Sequence, residues 1–200
     1  MHEQPQSERG IEEIKQMAFR GLYEKAISEK HDFIEYNLPY PKHEFLKFVV
    51  TNYPVLLHGS NWKTTDDLEP RQANCKSKKF GNLKAVYSTQ NHILPLFYAI
   101  KDKEKFQGIA RSGTLNTLNR DTGEMVTDYE FEVGPEMLKI KPWSDGVIYL
   151  LPKDLFEQGT NDNDKPIDEF VCREKVTPIT RLAVNPDDFP YLNDIKEYSQ

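Results

Sequence analysis

The sequence predicts an α+β fold: a helical N-terminal segment over residues 1–52, followed by short strands that finish as a meander. Three observations predict it. Apolar residues recur at helical spacing at Ile11, Ile14, Ala18, Leu22 and Ala26, with charges between them. Pro54 then precedes Val55-Leu56-Leu57, a short branched apolar run of the kind found in buried strands. After Lys105 the apolar residues come in short stretches separated by turn signals.

Taken in order, residues 1–10 read as a mobile tail and Ile11 to about Glu29 as a helix. A second short helix is expected around Phe33 and Ile34, ending before Pro39 and Pro41. His43 to Asn52, with Phe45, Leu46, Phe48, Val49 and Val50, reads as a third. Asn61 to Lys84 is mostly polar and reads as a loop, with a basic cluster at Lys76, Lys78 and Lys79. Leu83 to Ser88 is the next strand, and His92 to Ala99 a buried helix with Pro95 in its first turn. Ile109, Thr114-Leu115, Val126, Tyr129 to Val133 and Gly146 to Leu150 read as strands, with a hairpin turn at Asn119-Arg120-Asp121-Thr122-Gly123. Pro152 to Phe156 suits a short helix and Gln158 to Pro166 a polar loop. Glu169 to Cys172 and the Val176 region read as the last strands.

Composition narrows the class. A chain of 200 residues with 38% hydrophobic and 12% aromatic residues buries a core without staples. The net charge of −6 disfavours a broad nucleic-acid face. Cys75 and Cys172 form no Cys-x-x-Cys pair, so neither a disulfide framework nor a thiolate metal site is expected. The polar N-terminus shows no secretory signal and no apolar run reaches the length of a membrane span, so a cytoplasmic protein without a membrane partner is the default expectation. Export by a specialised machine stays open.

Three segments carry chemistry. Strand Val55–Leu57 delivers His58 to a sheet end, where a ring nitrogen can hydrogen-bond a ribose hydroxyl. Gly59, without a side chain, lets its backbone approach a flat carboxamide. Tyr87 ends a strand, and ten residues separate it from Tyr98 on the next helix, so both rings can line one cleft and grip a planar pyridinium. Far downstream, Asp168-Glu169 stands before an apolar strand. Singly, each is commonplace: a structural histidine, core tyrosines, an edge carboxylate. Arg71, in the loop after the histidine strand, is by itself a surface arginine.

Together, Leu57-His58-Gly59-Ser60, Ala85-Val86-Tyr87-Ser88-Thr89 with Leu96-Phe97-Tyr98, and Asp168-Glu169-Phe170-Val171 resemble the His-Tyr-Glu motifs of the ADP-ribosyltransferase superfamily. The closer likeness is to the branch of diphtheria toxin and the poly(ADP-ribose) polymerases, over about residues 54–190. The resemblance implies an ADP-ribosyltransferase-like fold over 53–200, with two small mixed or antiparallel sheets packed around an NAD cleft. It implies NAD as substrate, with His58, Gly59, Ser60, Arg71, Tyr87 and Tyr98 binding it and Glu169, His58 and Tyr87 as catalytic residues. Glu169 would stabilise the positive charge that develops on the ribose as the nicotinamide bond breaks.

The chain departs from that pattern. Pro95 stands where the family often has a serine that helps to hold the carboxamide, and Ile167 precedes Glu169 where the arginine-modifying branch has an acid or amide. Glu174 is a rival acid in a charged turn. Four readings follow: ADP-ribose transfer to an unidentified protein or nucleic acid, with NAD hydrolysis as a close variant; an NAD- or ADP-ribose-binding module without catalysis; an RNA 2′-phosphotransferase-like enzyme; and an interaction domain whose motifs are accidental. The third ranks lower, because few arginines lie near the motifs and Glu169 would be superfluous.

Overall fold

The computed structural model describes residues 6–61, 67–73, 80–120, 122–123, 125–161 and 163–199. Lys76, Lys78, Lys79, Cys75 and Asp121 lie outside them. In chain order the elements are α1 (Gln6–Ser28), α2 (Lys42–Asn52), β1 (Val55–Ser60), β2 (Arg71–Gln72), β3 (Lys84–Ser88), α3 (Leu94–Ala99), β4 (Ala110–Leu118), β5 (Met125–Val133), α4 (Pro135–Ile140), β6 (Gly146–Pro152), β7 (Glu157–Thr160), β8 (Pro166–Cys172), β9 (Thr180–Val184) and β10 (Lys196–Glu197). The fold is α+β, as expected, but with three small sheets rather than two, in the orders β1-β6-β9, β2-β3-β8-β7 and β10-β5-β4. The first two are antiparallel; the third is mixed, because β10 runs parallel to β5. Among the described residues no helix is long and apolar enough to cross a membrane.

The β1-β6-β9 sheet is buried on both faces, and the strand period of two divides its residues between two cores. Leu57, Ile148, Leu150 and Leu182 face a large cluster holding Phe19 and Tyr23 of α1, Phe45 and Val49 of α2, Phe97, Phe131 and Phe189. Leu56, Val147, Tyr149 and Leu151 face a smaller one with Val86, Phe170, Cys172 and Val176. In the large core Phe131 packs between Phe97 and Phe189, with ring centroids 5.0 and 4.8 Å away.

Helix α3 lies against two glycines. A Cβ on Gly59 would stand 1.8 Å from the Pro95 carbonyl oxygen, and one on Gly146 would stand 2.0 Å from that of Ala99. Both helix ends therefore approach the sheet at backbone distance, which only glycine permits. The turn into α3 is tied by Asp168, whose carboxylate accepts from Thr89 Oγ1 at 2.8 Å and the Gln90 N–H at 2.7 Å. Asn91 Oδ1 accepts from the N–H groups of Ile93 and Leu94, both at 2.9 Å.

Several elements differ from expectation. Helix α1 begins at Gln6, inside the expected tail, and buries Phe19, Tyr23 and Ala26. Ile11 and Ile14, which open the expected helical spacing, are 63% and 58% exposed. No helix forms at Phe33 and Ile34. Phe33 bridges Arg181 in parallel and the Ile34 N–H donates to the Arg181 carbonyl at 2.8 Å, so a partner far along the chain extends the segment. The polar stretch 158–166 contains most of β7, an edge strand stabilised by backbone bonds to β8 rather than by apolar burial. The loop 61–84 contains β2. Val176 makes only an isolated bridge to Leu68, and the last long strand is β9. Helix α4 was not anticipated. The hairpin turn closes as expected, with the Gly123 N–H donating to the Asn119 carbonyl at 2.8 Å and Gly123 at φ +72°.

Candidate functional site

Strands β1 and β3 belong to different sheets, and Leu57 of β1 bridges to Thr89, the residue after β3, through backbone hydrogen bonds of 2.8 and 3.1 Å. Along an antiparallel strand the backbone groups of alternate residues point the same way. The N–H and C=O of Gly59, two residues past Leu57, are therefore directed toward the side where the sheets part. A cavity of about 1070 Å³ opens there, at the upper end of the ~300–1,000 Å³ of ordinary small-ligand clefts. His58, Gly59 and Ser60 of β1, Arg71 of β2, Tyr87 of β3 and Tyr98 of α3 all line it. Six candidates from four separate elements thus share one wall.

His58 is partly buried, and its Nδ1 lies 2.7 Å from the Tyr87 carbonyl oxygen. A carbonyl only accepts, so Nδ1 carries a hydrogen. Burial holds the imidazole below its ordinary pKa despite that bond, and the nearby charges of Lys103 and Arg71 act in the same direction. The ring is neutral at pH 7, leaving Nε2 as an acceptor. It suits a hydroxyl donor and has no proton to give from that nitrogen.

The two tyrosines are fixed by their hydroxyls. Tyr87 accepts from the Leu83 N–H at 2.8 Å and donates to the Phe80 carbonyl at 2.9 Å. Tyr98 Oη lies 2.9 Å from Ser112 Oγ on β4. Ser60 is buried, and its Oγ accepts from Lys103 Nζ at 3.2 Å. Arg71 reaches the wall through the pairing of β2 with β3, opposite Ala85. Lys175, which also lines the cavity, pairs with Asp67 at 2.9 Å and Glu69 at 3.7 Å.

Glu169 is not among the residues lining this cavity. It is the fourth residue of β8, not the first. The pairs Ser88–Phe170 and Tyr87–Val171 set the register, and strand alternation puts the Glu169 side chain on the same face as Tyr87, diagonally across from it. Glu169 Oε1 is buried without a hydrogen-bond partner. A buried carboxyl oxygen left unpaired is costly, so Oε1 is an acceptor with hydrogen-bonding capacity to spare. Its neighbour Asp168 has a structural role at the α3 turn, and the rival Glu174 sits in an exposed bend.

Sequence reasoning missed Lys101, Lys103, Phe106 and Tyr149, which also line the cavity. Lysines following an apolar helix look like an ordinary solvated terminus, and only the packing of α3 on the sheet turns them inward. Among the described residues no group of three or more His, Cys, Asp or Glu side chains is placed to hold a metal ion. Comparison with protein-family models, curated proteins and solved structures finds no match for this chain.

Proposed function

We propose that this chain is an NAD-dependent ADP-ribosyltransferase, and that the two sheets parting at Leu57–Thr89 are the sheets of an ADP-ribosyltransferase-like fold. The observation that carries this reading is the convergence of His58, Gly59, Ser60, Arg71, Tyr87 and Tyr98 on one cavity. Their chemistry fits the parts of NAD. The neutral His58 accepts a ribose hydroxyl at Nε2. The outward N–H and C=O of Gly59 offer one donor and one acceptor, which is what a carboxamide needs. Tyr87 and Tyr98 supply ring faces for the planar nicotinamide ring, and Arg71 supplies a guanidinium for the pyrophosphate.

Glu169 acts when the bond between ribose C1′ and the nicotinamide nitrogen breaks. The bonding pair leaves with the nicotinamide, positive charge develops on the ribose, and a fixed carboxylate stabilises that state more than the ground state. An acceptor nucleophile then attacks C1′ and loses its proton. Pro95 cannot make the serine contact, since it has neither hydroxyl nor N–H, so the amide depends on the Gly59 backbone.

The place of Glu169 outside the cavity lining favours a second reading, a module that binds NAD or ADP-ribose without cleaving it. Incubation with NAD labelled on the adenylate half, with and without cell lysate, separates the possibilities. Transfer puts label on protein or nucleic acid; hydrolysis gives free ADP-ribose. Ligand-induced thermal stabilisation with intact NAD supports the silent module and overturns the enzymatic reading.

A further inference from the structure

Lys101 stands two residues past the end of α3, and its backbone bridges to Trp143. Its ammonium stands 4.5 Å from the ring centroid of Tyr98, 5.1 Å from that of Phe106 and 5.6 Å from that of Phe97. These rings form an aromatic cage around the chain's own cation. Lys101, Tyr98 and Phe106 all line the main cavity. Among the described residues no carboxylate pairs with Lys101; the acids on the same wall, Asp67 and Glu69, are engaged by Lys175.

We propose that Lys101 gives the Tyr98 wall a charge preference: while its ammonium stands over that ring, the cavity takes an uncharged planar amide in preference to a cationic pyridinium. The inference rests on the reading of Tyr98 as a nicotinamide wall. Two cations cannot share one aromatic face without repulsion, whereas a neutral amide-bearing ring meets only the steric demand that the lysine stem bend aside. Neutral nicotinamide, the leaving group, is then held more firmly than the charged ring of the substrate. Marked product inhibition at neutral pH follows.

The preference is titratable. Burial, with the nearby Lys103 charge adding to it, brings the Lys101 pKa down to about 8. The other charged or titratable groups lining the cavity are His58, Arg71, Lys103, Lys175, Asp67, Glu69 and the tyrosines. Among these, Lys103 is the charge that acts on Lys101. Raising the pH through about 8 removes the competing cation, and the charged ring gains access.

Calorimetric titration of the full chain with nicotinamide and with 1-methylnicotinamide, the same amide-bearing ring carrying a fixed positive charge, tests this. At pH 6.5 the wild type binds nicotinamide about tenfold more tightly, a gap that shrinks to about threefold or less at pH 9.5. Lys101→Met shows the small gap at both pH values. Lys101→Arg, whose charge does not titrate, keeps the large gap at both. If Lys101→Met retains the wild-type gap and its pH dependence, the role of Lys101 is overturned while nicotinamide binding upholds the site. If neither ring binds any form of the protein, the reading of the site falls, and the inference with it.

Discussion

Gly59 shows two demands meeting at one residue. Its backbone faces the cavity, and the space of its missing side chain is filled by the Pro95 carbonyl 1.8 Å from an ideal Cβ. A methyl group there must push α3 off β1. Gly59→Ala is therefore expected to destabilise the fold by about 1–3 kcal/mol, read from denaturant midpoints. The control is Gly21, in the middle of α1 with nothing within 4 Å of an added Cβ. Gly21→Ala is expected to stabilise by about 0.5–1 kcal/mol, because it only raises helix propensity. Equal effects at the two positions would show that α3 does not lie against β1 as described. The sequence reads the His-Gly pair as a ligand feature, and the packing role of Gly59 does not show there. Nothing local in Val55–Ser60 reveals that Pro95, 36 residues after Gly59, returns to touch it.

Elements were legible where local pattern and tertiary packing agree. Strands β1 and β6 carry branched apolar runs and lie in the core, so their composition announces them, and β3 shows itself through buried Ala85 and Val86. Helix α1 carries two overlapping apolar stripes, one through Ile11, Ile14 and Ala18 and another through Phe19, Tyr23 and Ala26. Helical spacing accepts both, and only the neighbouring helix chooses. Phe19 sits edge-on to Phe45 with centroids 5.6 Å apart, while Ile11 faces solvent. Thermal or chemical denaturation checks the choice: Phe19→Ala is expected to cost about 3–5 kcal/mol, and Ile11→Ala less than about 0.5 kcal/mol. The reverse ranking would mean that α1 docks by the other stripe. Strand β7 and the extended Phe33–Ile34 segment are not legible in the sequence for a shared reason: backbone pairing with another strand stabilises them, and no apolar pattern of their own records it. Lys101 and Lys103 belong with them, since the path of the chain after α3 decides that they face the cavity.

At the scale of the whole molecule, α1 and α2 contribute to the same hydrophobic cluster as the sheets, so the helical lead-in and the remainder of the chain share a core. Burial lowers the pKa values of His43 and His58 and takes His92 down to about 4. All three histidines prefer the neutral form when folded. The unfolded chain takes up their protons near pH 6.5, the folded chain only at lower pH, so the unfolded state binds more protons in between. Stability is full above about 6.5 and falls as the pH drops toward about 4. His92→Gln is expected to flatten much of that slope in pH-dependent unfolding, and an unchanged slope would show that His92 does not contribute to it. The proposed reaction joins two strands far apart in the chain: β1 would hold NAD, and Glu169 of β8 would stabilise the charge that develops as the nicotinamide bond breaks. Release of nicotinamide from NAD by the wild type and by Glu169→Gln tests this most directly, with NAD-induced thermal stabilisation measured on both. The expected result is release by the wild type, at least about 100-fold slower release by Glu169→Gln, and stabilisation of both by NAD. Equal release by the two proteins, or a wild type that is stabilised by NAD yet releases no nicotinamide, would contradict it.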